Sequence, residues 1–212
     1  MEASNIAKQR ERTGGMMTKV DDKKAARKLC GALRRAADPK AYEGLMYQLA
    51  EKLRRLPGKV LGVYQPIASE PDPMPAVRSW LSEGMNRTLA LPWCLDSSAS
   101  VMVYRIWHPG EALVPDAAGI PAAAGQQVIP DILLVPCLGW SAKHFRLGYG
   151  GGYFDRYLAA LAKNGIHPQV VGIAYAACKV DDALFDSLDL PMDFVITAVS
   201  YTHLTLPTKR IV

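Results

Sequence analysis

The sequence predicts a three-layer α/β fold, with a mainly parallel, open, Rossmann-like sheet and helices on both faces. Two observations support this prediction. Short apolar segments alternate with helical patterns over residues 22–197, and this alternation is typical of parallel strands joined by crossover helices. Residues 131–135 begin with Asp131 and are otherwise a continuous apolar run, and a proline bounds them on each side. This pattern is expected of a strand buried on both faces. Such sheets bind ligands at the carboxyl ends of their strands.

Four helices are predicted, over residues 22–35, 40–56, 74–83 and 153–163. The first is rich in Ala, Lys, Arg and Leu, which favour helix. The second repeats leucine every three or four residues and ends before Pro57. Gly84 closes the third. Gly165 is suited to end the fourth, because glycine accepts the left-handed backbone found there.

Six strands are predicted, over residues 60–64, 88–91, 101–106, 131–135, 169–175 and 194–197. Residues 110–128 are predicted to be a loop, because Pro115, Pro121 and Gly125 interrupt them. No internal repeat is visible, and we expect one domain over residues 21–198.

The two ends of the chain are set apart from this domain. Residues 1–20 are polar and are predicted to be a disordered lead. Residues 199–208 resemble the forward translation of a transposase-based sequencing adapter, so we interpret 199–212 as a non-native tail. The alternative is a natural β-rich tail. Functional residues are therefore sought between 21 and 198.

Composition excludes several classes of protein. Half of the 212 residues are apolar and 21% are charged, which suffices for a core and differs from a disordered chain. The longest apolar run, residues 132–140, is nine residues long, whereas a membrane helix needs about 20. We therefore expect a soluble protein with no membrane partner.

The four cysteines indicate a reducing compartment. They are widely spaced, form no Cys-x-x-Cys pair and have no histidine at metal-ligand spacing, so a zinc site is not expected. Residues 1–30 lack the apolar segment of a secretory leader. We expect a cytoplasmic protein with reduced thiols, and a monomer is our working assumption.

The net charge of +5 comes from one end of the chain. Residues 1–35 carry ten lysines and arginines against four acids. Two interpretations stay open, a solvated basic helix or a clamp for the phosphates of a small ligand. A nucleic-acid partner is not expected, because the basic segment contains no aromatic residue to stack on bases.

Residues 146–156 are the most informative segment of the chain. Four glycines within five positions allow unusual backbone torsions and let N–H groups approach an anion. The loop opens a predicted helix, and a helix N-terminus attracts phosphate. Arg146 adds a planar cation suited to phosphate, and Asp155 can hold Mg²⁺ between phosphates. By itself the pattern is a phosphate loop or a flexible glycine turn, since it matches neither a Walker A loop nor a dinucleotide fingerprint.

As a complete string, Arg-Leu-Gly-Tyr-Gly-Gly-Gly-Tyr-Phe-Asp-Arg at 146–156 resembles the signature of the 5-formyltetrahydrofolate cyclo-ligase family, also called 5,10-methenyltetrahydrofolate synthetases. Residues 64–70, 130–136 and 171–175 resemble other segments of that family. The resemblance implies an ATP- and Mg²⁺-dependent closure of 5-formyltetrahydrofolate to 5,10-methenyltetrahydrofolate, with release of ADP and phosphate. The alternative is a non-catalytic paralogue that binds nucleotide or folate without turnover.

The resemblance also implies roles for individual residues. Arg146 is the implied catalytic residue, which neutralises phosphoryl charge. The implied ATP-binding residues are Lys23, Arg27, Arg146, Leu147, Gly148, Tyr149, Gly150, Gly151, Gly152, Tyr153 and Phe154. The implied folate-binding residues are Gln65, Glu70, Tyr149, Gly150, Gly151, Gly152 and Tyr153. The implied Mg²⁺ ligands are Asp155 and Asp189.

Some of these assignments have alternatives in the sequence. Lys24 and Lys28 repeat the spacing of Lys23 and Arg27 one residue further on, so the basic helix has two possible registers. The alternative for each of these residues is a solvated position on the surface. The basic residues would then form an exposed helix face, Asp189 would be a loop acid and Glu70 a surface acid.

The chain departs from the family pattern at four places, namely residues 119–123, residues 140–145, Cys178 and residues 188–189. These departures concern the folate contacts and the second metal ligand. They leave the glycine loop intact.

Overall fold

The structure is a computed structural model that describes residues 19–187 and 189–198. The proposed tail at 199–212, residues 1–18 of the proposed lead, and the departure at Leu188 lie outside the described residues. The first helix begins at Lys19, so residues 19 and 20, which the sequence analysis places in the lead, are helical. Asp21 and Asp22 lie in its first turn, where the helix dipole favours acidic side chains.

Four α-helices occur in the described residues, close to the predicted bounds. They are α1 (Lys19–Arg35), α2 (Pro39–Arg55), α3 (Met74–Ser82) and α4 (Tyr153–Lys163). The Asp38 side chain caps α2 by accepting a hydrogen bond from the Lys40 N–H, and Pro39 takes the first helical position. In the described part of the chain, no helix is long and apolar enough to cross a membrane.

The strands follow the predicted order, with short additions. They are β1 (Val60–Gly62), β2 (Thr88–Asp96), β3 (Val101–Trp107), β4 (Val114–Pro115), β5 (Pro121–Ala122), β6 (Gln127–Val128), β7 (Ile132–Pro136), β8 (Gly139–Ser141), β9 (Arg146–Leu147), β10 (Gln169–Ala174), β11 (Lys179–Val180) and β12 (Phe194–Thr197). Short 3₁₀ turns span Ala176–Cys178 and Asp182–Leu184.

Among the residues that the structure describes, the main sheet has seven strands in the order β12-β10-β7-β1-β2-β3-β6. The neighbours from β12 to β2 are parallel, and β3 and β6 extend the sheet with antiparallel pairing. The predicted α/β fold is therefore confirmed. β2 is longer than predicted because it continues through Pro92, beyond the last residue paired with β1, where a proline is tolerated.

The core lies on both faces of the central strand β7, whose five residues are all buried. Leu134 packs in one cluster with Leu45 and Leu49 of α2, whereas Leu133 packs in the opposite cluster with Tyr157 of α4. This alternation follows from the two-residue repeat of a strand. It places helices on both faces, as the continuously apolar sequence of β7 predicts.

A second, small sheet was not predicted. It has the order β11-β8-β9, and all three of its strands follow β7 in the chain. Cys30 of α1 packs with Leu147 of β9 and with Phe185, so the small sheet holds α1 close to the start of the glycine loop. Two- and three-residue strands are too short to show a hydrophobic period, which is why the sequence did not reveal them. The same limit explains β4, β5 and β6 inside the predicted loop.

Candidate active site

A cavity of about 420 Å³ lies beyond the carboxyl ends of β1 and β7. This is the edge at which ligands bind open α/β sheets. Every site residue proposed from the sequence lines it. These are Lys23, Arg27, Gln65, Glu70, the ten residues Arg146–Asp155, and Asp189. The fold thus brings together residues that are up to 166 positions apart in the chain.

The glycine loop takes its shape from two left-handed glycines. Gly150 has φ 104° and Gly152 has φ 68°, and residues other than glycine rarely adopt such backbone angles. Gly152 is the N-terminal cap residue of α4 and makes no side-chain capping bond. The first N–H groups of the helix are therefore available to an anion in the cavity, where the helix dipole also favours negative charge.

Arg146 is held in place beside the loop. Its side chain is 10% exposed, and its Nη2 donates to Oδ2 of Asp155 over 3.1 Å. The guanidinium carbon lies 5.1 Å from the centre of the Phe154 ring. A cation fixed on two sides loses little entropy when it binds a charged ligand, which suits stabilisation of a transition state.

Helix α1 brings two further cations to the cavity. Lys23 pairs with Asp189 over 2.8 Å, and Nε of Arg27 donates to the carbonyl oxygen of Gly148 over 2.8 Å. Lys24 and Lys28 are exposed and do not line the cavity. Of the two registers left open by the sequence, the one with Lys23 and Arg27 faces the cavity. We call Lys23, Arg27, Arg146, Asp155 and Asp189 the charged lining.

The carboxylates of the charged lining fit Mg²⁺ held jointly with a phosphate ligand. Within residues 19–187 and 189–198, no three His, Cys, Asp or Glu side chains cluster into a metal site. Mg²⁺, however, usually takes one or two carboxylates and completes its shell with water and substrate phosphates. Asp155 is 35% exposed, and Arg146 engages one of its oxygens. Asp189 is held more closely, since its carboxylate also accepts the Asp186 N–H.

A second set of lining residues has a different character. Pro92, Cys94, Met102, Ile120 and Pro121 line the cavity, and we call them the apolar lining. Cys94 and Met102 pair across β2 and β3. The sequence analysis missed these residues, because apolar side chains on strands are indistinguishable from core.

Asp116 holds part of the apolar lining in place. Its carboxylate accepts hydrogen bonds from the N–H groups of Cys94, Ala118 and Ile120 over 2.8–3.0 Å. This arrangement ties the β4–β5 hairpin to β2. An Asp followed closely by Gly119 is a turn pattern, and this feature could have revealed the hairpin within the predicted loop.

Glu70 and Gln65 lie on the segment after β1. Oε2 of Glu70 accepts the Ile67 N–H over 3.0 Å. Burial raises the pKa of the Glu70 carboxyl, and this effect is opposed by the Ile67 hydrogen bond and by the charges of Arg34 and Arg146. Glu70 is thus a partly desolvated acceptor facing the cavity rather than a freely solvated surface acid. Tyr64, Phe185 and Arg34 were also missed; the first two line the cavity, and Arg34 contacts lining residues.

Comparison with known proteins gives a consistent picture. The model of the 5-formyltetrahydrofolate cyclo-ligase family matches residues 19–198. A 5-formyltetrahydrofolate cyclo-ligase of Escherichia coli (strain K12) is 27% identical over 176 residues, covering 77% of this chain and 93% of that protein. One from Mycoplasma pneumoniae is 41% identical over 66 residues, covering 31% of this chain and 38% of that protein. A solved 5,10-methenyltetrahydrofolate synthetase from M. pneumoniae shares the fold, with a TM-score of 0.65 and 24% sequence identity. The match covers 84% of this chain and 99% of that one.

Proposed function

The chain belongs to the 5-formyltetrahydrofolate cyclo-ligase family, and we propose that it closes 5-formyltetrahydrofolate to 5,10-methenyltetrahydrofolate at the cost of ATP. The observation that carries the proposal is the cavity, in which a phosphate-binding glycine loop, fixed cations and an apolar lining meet. A nucleotide needs the first two, and a flat pterin ring needs the third. The residues that line the cavity therefore match the chemistry of the two substrates.

The proposed chemistry replaces a poor leaving group with a good one. The formyl oxygen attacks the γ-phosphorus of ATP, and the bond to ADP breaks. N10 of the folate then attacks the activated formyl carbon and loses its proton. The new bond between N10 and carbon closes the ring. The C–O bond then breaks, phosphate leaves with the former formyl oxygen, and a C=N⁺ bond forms within the closed ring. The protein mainly positions the reactants and neutralises charge.

The charged lining serves the phosphoryl transfer in this proposal. Lys23 and Arg27 bind the phosphate chain, and the N–H groups of the glycine loop and of α4 complete the site. Arg146, fixed by Asp155 and Phe154, neutralises charge on the transferred phosphoryl group. Asp155, with Asp189 as the second carboxylate, would hold Mg²⁺, which when bound neutralises and orients the phosphate oxygens.

The folate would occupy the other side of the glycine loop. Glu70 accepts hydrogen bonds from pterin N–H groups, and Gln65 lies on the same segment. Tyr153 reaches the apolar lining, since its hydroxyl lies 3.7 Å from Sγ of Cys94. The loop residues Tyr149 to Tyr153 thus lie between the two substrates, which is the position needed for transfer from one to the other.

We also propose a cytoplasmic monomer without nucleic-acid or membrane partners. All four cysteines are free thiols, which suits a reducing compartment.

The decisive experiment measures methenyltetrahydrofolate by its near-UV absorbance, starting from 5-formyltetrahydrofolate and the full chain. We expect product only when ATP and Mg²⁺ are both present, with one phosphate released per ring closed. Nucleotide or folate binding without phosphate release would contradict the proposal and indicate a non-catalytic paralogue. The same assay on residues 17–198 tests the proposed domain bounds, and we expect equal activity.

A further inference from the structure

Arg34 is a buried arginine whose role the reaction scheme does not include. It lies in the last turn of α1, and its side chain is 4% exposed. Nε donates to Oγ of Ser69 over 3.0 Å, and Nη2 donates to the hydroxyl of Tyr149. The guanidinium carbon lies 5.5 Å from the centre of the Tyr149 ring. One side chain therefore joins α1 to two separate segments of the cavity.

This arrangement is costly for the fold alone. A buried cation loses its hydration. Within the described residues its two hydrogen-bond partners are neutral hydroxyls, and the only carboxylate on which we find its charge acting, that of Glu70, is not hydrogen-bonded to it. In the part of the chain that the structure describes, its Nη1 is buried and has no partner. An apolar side chain would fill the same space at lower cost. Such a group is best explained by what it holds in place.

The two segments that Arg34 holds are those assigned to the folate. Ser69 immediately precedes Glu70, and its bond to Arg34 fixes the end of that segment. Tyr149 stands between Gly148 and Gly150 and is 49% exposed, so little besides its hydroxyl contact and ring contact restrains it. Arg34 also belongs to the helix that carries Lys23 and Arg27. It thus relates the proposed folate contacts to the proposed phosphate contacts.

We propose that Arg34 is a positioning residue, which fixes the spacing between the glycine loop and the Glu70 segment and so shapes the folate subsite. It acts through Tyr149 and Ser69 and does not touch the substrates. The inference rests on the proposed function for the identity of the ligand. The positioning itself is a property of the free protein and can be measured without any ligand.

The first test is amide hydrogen exchange of the free full chain, which reports local opening. We expect Arg34→Met to raise exchange in residues 65–70 and 146–152 and to leave β10 unchanged. Tyr149→Phe removes only one of the two contacts, so we expect faster exchange in 146–152 alone. Arg35→Met is the matched control, because Arg35 is the exposed neighbour on the same helix; we expect it to match the wild type.

The second test separates the two substrates. We expect Arg34→Met to raise KM for 5-formyltetrahydrofolate about tenfold, because displacement of the Glu70 segment would weaken about one hydrogen bond between its carboxylate and the folate. The affinity for ATP measured alone should change less than about twofold, because Arg34 contacts neither Lys23, Arg27 nor Arg146. A wild-type protein without activity would contradict the proposed function, whereas the exchange experiment would still decide the role of Arg34.

Two results would overturn the inference. One is unchanged exchange in both segments of Arg34→Met. The other concerns Arg34→Lys, which is measured if Arg34→Met raises hydrogen exchange throughout the chain. An ammonium group lacks the fork that donates to Ser69 and Tyr149 together, so we expect faster exchange in at least one segment of that variant. Unchanged or uniformly faster exchange in Arg34→Lys would show that Arg34 has only a general structural role.

Discussion

The charged lining and the apolar lining of the cavity come from different parts of the chain and are held by different contacts. The charged lining joins residues from opposite ends of the chain through directed contacts, such as Lys23 with Asp189 and Arg27 with Gly148. The apolar lining comes from strands that are adjacent in the sheet and from the β4–β5 hairpin that Asp116 ties to them. Charge placement is therefore a tertiary property of this fold, whereas the apolar lining follows from local sheet structure.

This difference leads us to expect that the two linings fail in different ways. Loss of a charged group should reduce phosphoryl transfer or nucleotide affinity with little effect on folding, because these side chains lie outside the main core. Changes on the folate side should affect folate affinity, and at Glu70 they should also affect stability. The following predictions test this separation, beginning with the largest expected effect.

Replacement of Arg146 should have the largest effect. We expect Arg146→Ala to lower kcat by roughly 100-fold or more, the loss typical of one preorganised donor to a transition state. Its melting temperature should change little, because its partners, Asp155 and the Phe154 ring, are both partly exposed. Steady-state kinetics and a thermal melt measure the two effects.

Arg105→Ala is the matched control for this prediction. Arg105 also stacks on an aromatic ring, with its guanidinium carbon 4.2 Å from the centre of the Trp93 ring, but it does not line the cavity. We expect near-normal turnover. A loss of melting temperature in Arg146→Ala that parallels its loss of activity would instead make Arg146 a structural residue.

The carboxylates of the charged lining provide the next prediction. We expect Asp155→Asn to raise the Mg²⁺ concentration needed for half-maximal activity roughly tenfold, because a neutral amide is a weaker ligand for a hard cation. The amide oxygen can still accept the bond from Arg146. Asp181→Asn is the control, because Asp181 is an exposed acid in a loop; we expect it to leave the metal titration unchanged. An identical titration for Asp155→Asn and wild type would remove Asp155 from the metal site.

The register of α1 gives a smaller effect and a direct comparison. We expect Lys23→Ala to raise KM for ATP several-fold, up to about tenfold, since the net contribution of one hydrogen bond is about 0.5–1.5 kcal/mol. Lys24→Ala removes the same charge one residue away on an exposed face and should have no effect. Equal effects of the two variants would mean that only the general basicity of α1 matters.

The two linings also differ in how far the sequence predicts them. The four helices and the buried strand β7 were predicted from helical spacing and an apolar run, which leave patterns within a few residues. Arg146 and Asp155 stand out beside the glycine-rich string, whereas Lys23, Arg27 and Asp189 were implied only by the resemblance to the family. Ile120 and Met102 leave no such pattern, since an apolar residue beside a ligand resembles an apolar residue in a core. The pairing of Lys23 with Asp189 and the burial of Arg34 arise only when α1 packs on the small sheet, whose strands are too short to predict.

Glu70 provides the last prediction, in which a modest change in stability accompanies a change in folate affinity. Burial raises the pKa of its carboxyl above the ordinary value of 4.5, so the folded state binds the proton more tightly than the unfolded state does. The resulting stabilisation is complete below the unfolded pKa and is lost as the pH rises through the folded pKa. At pH 7 the buried charge is therefore a net cost to folding.

We accordingly expect Glu70→Gln to melt a few degrees higher than the wild type at pH 7, with the difference vanishing below about pH 4. Glutamine keeps an oxygen that can accept the Ile67 N–H, so that contact is preserved. The same variant should bind 5-formyltetrahydrofolate about tenfold more weakly, while Glu43→Gln, on an exposed acid of α2, should change neither property. Gain of stability together with loss of affinity would identify Glu70 as a charge kept for binding. A variant less stable at pH 7 would show that the carboxylate stabilises the fold, and Glu70 would then be a structural residue rather than a charge kept for binding.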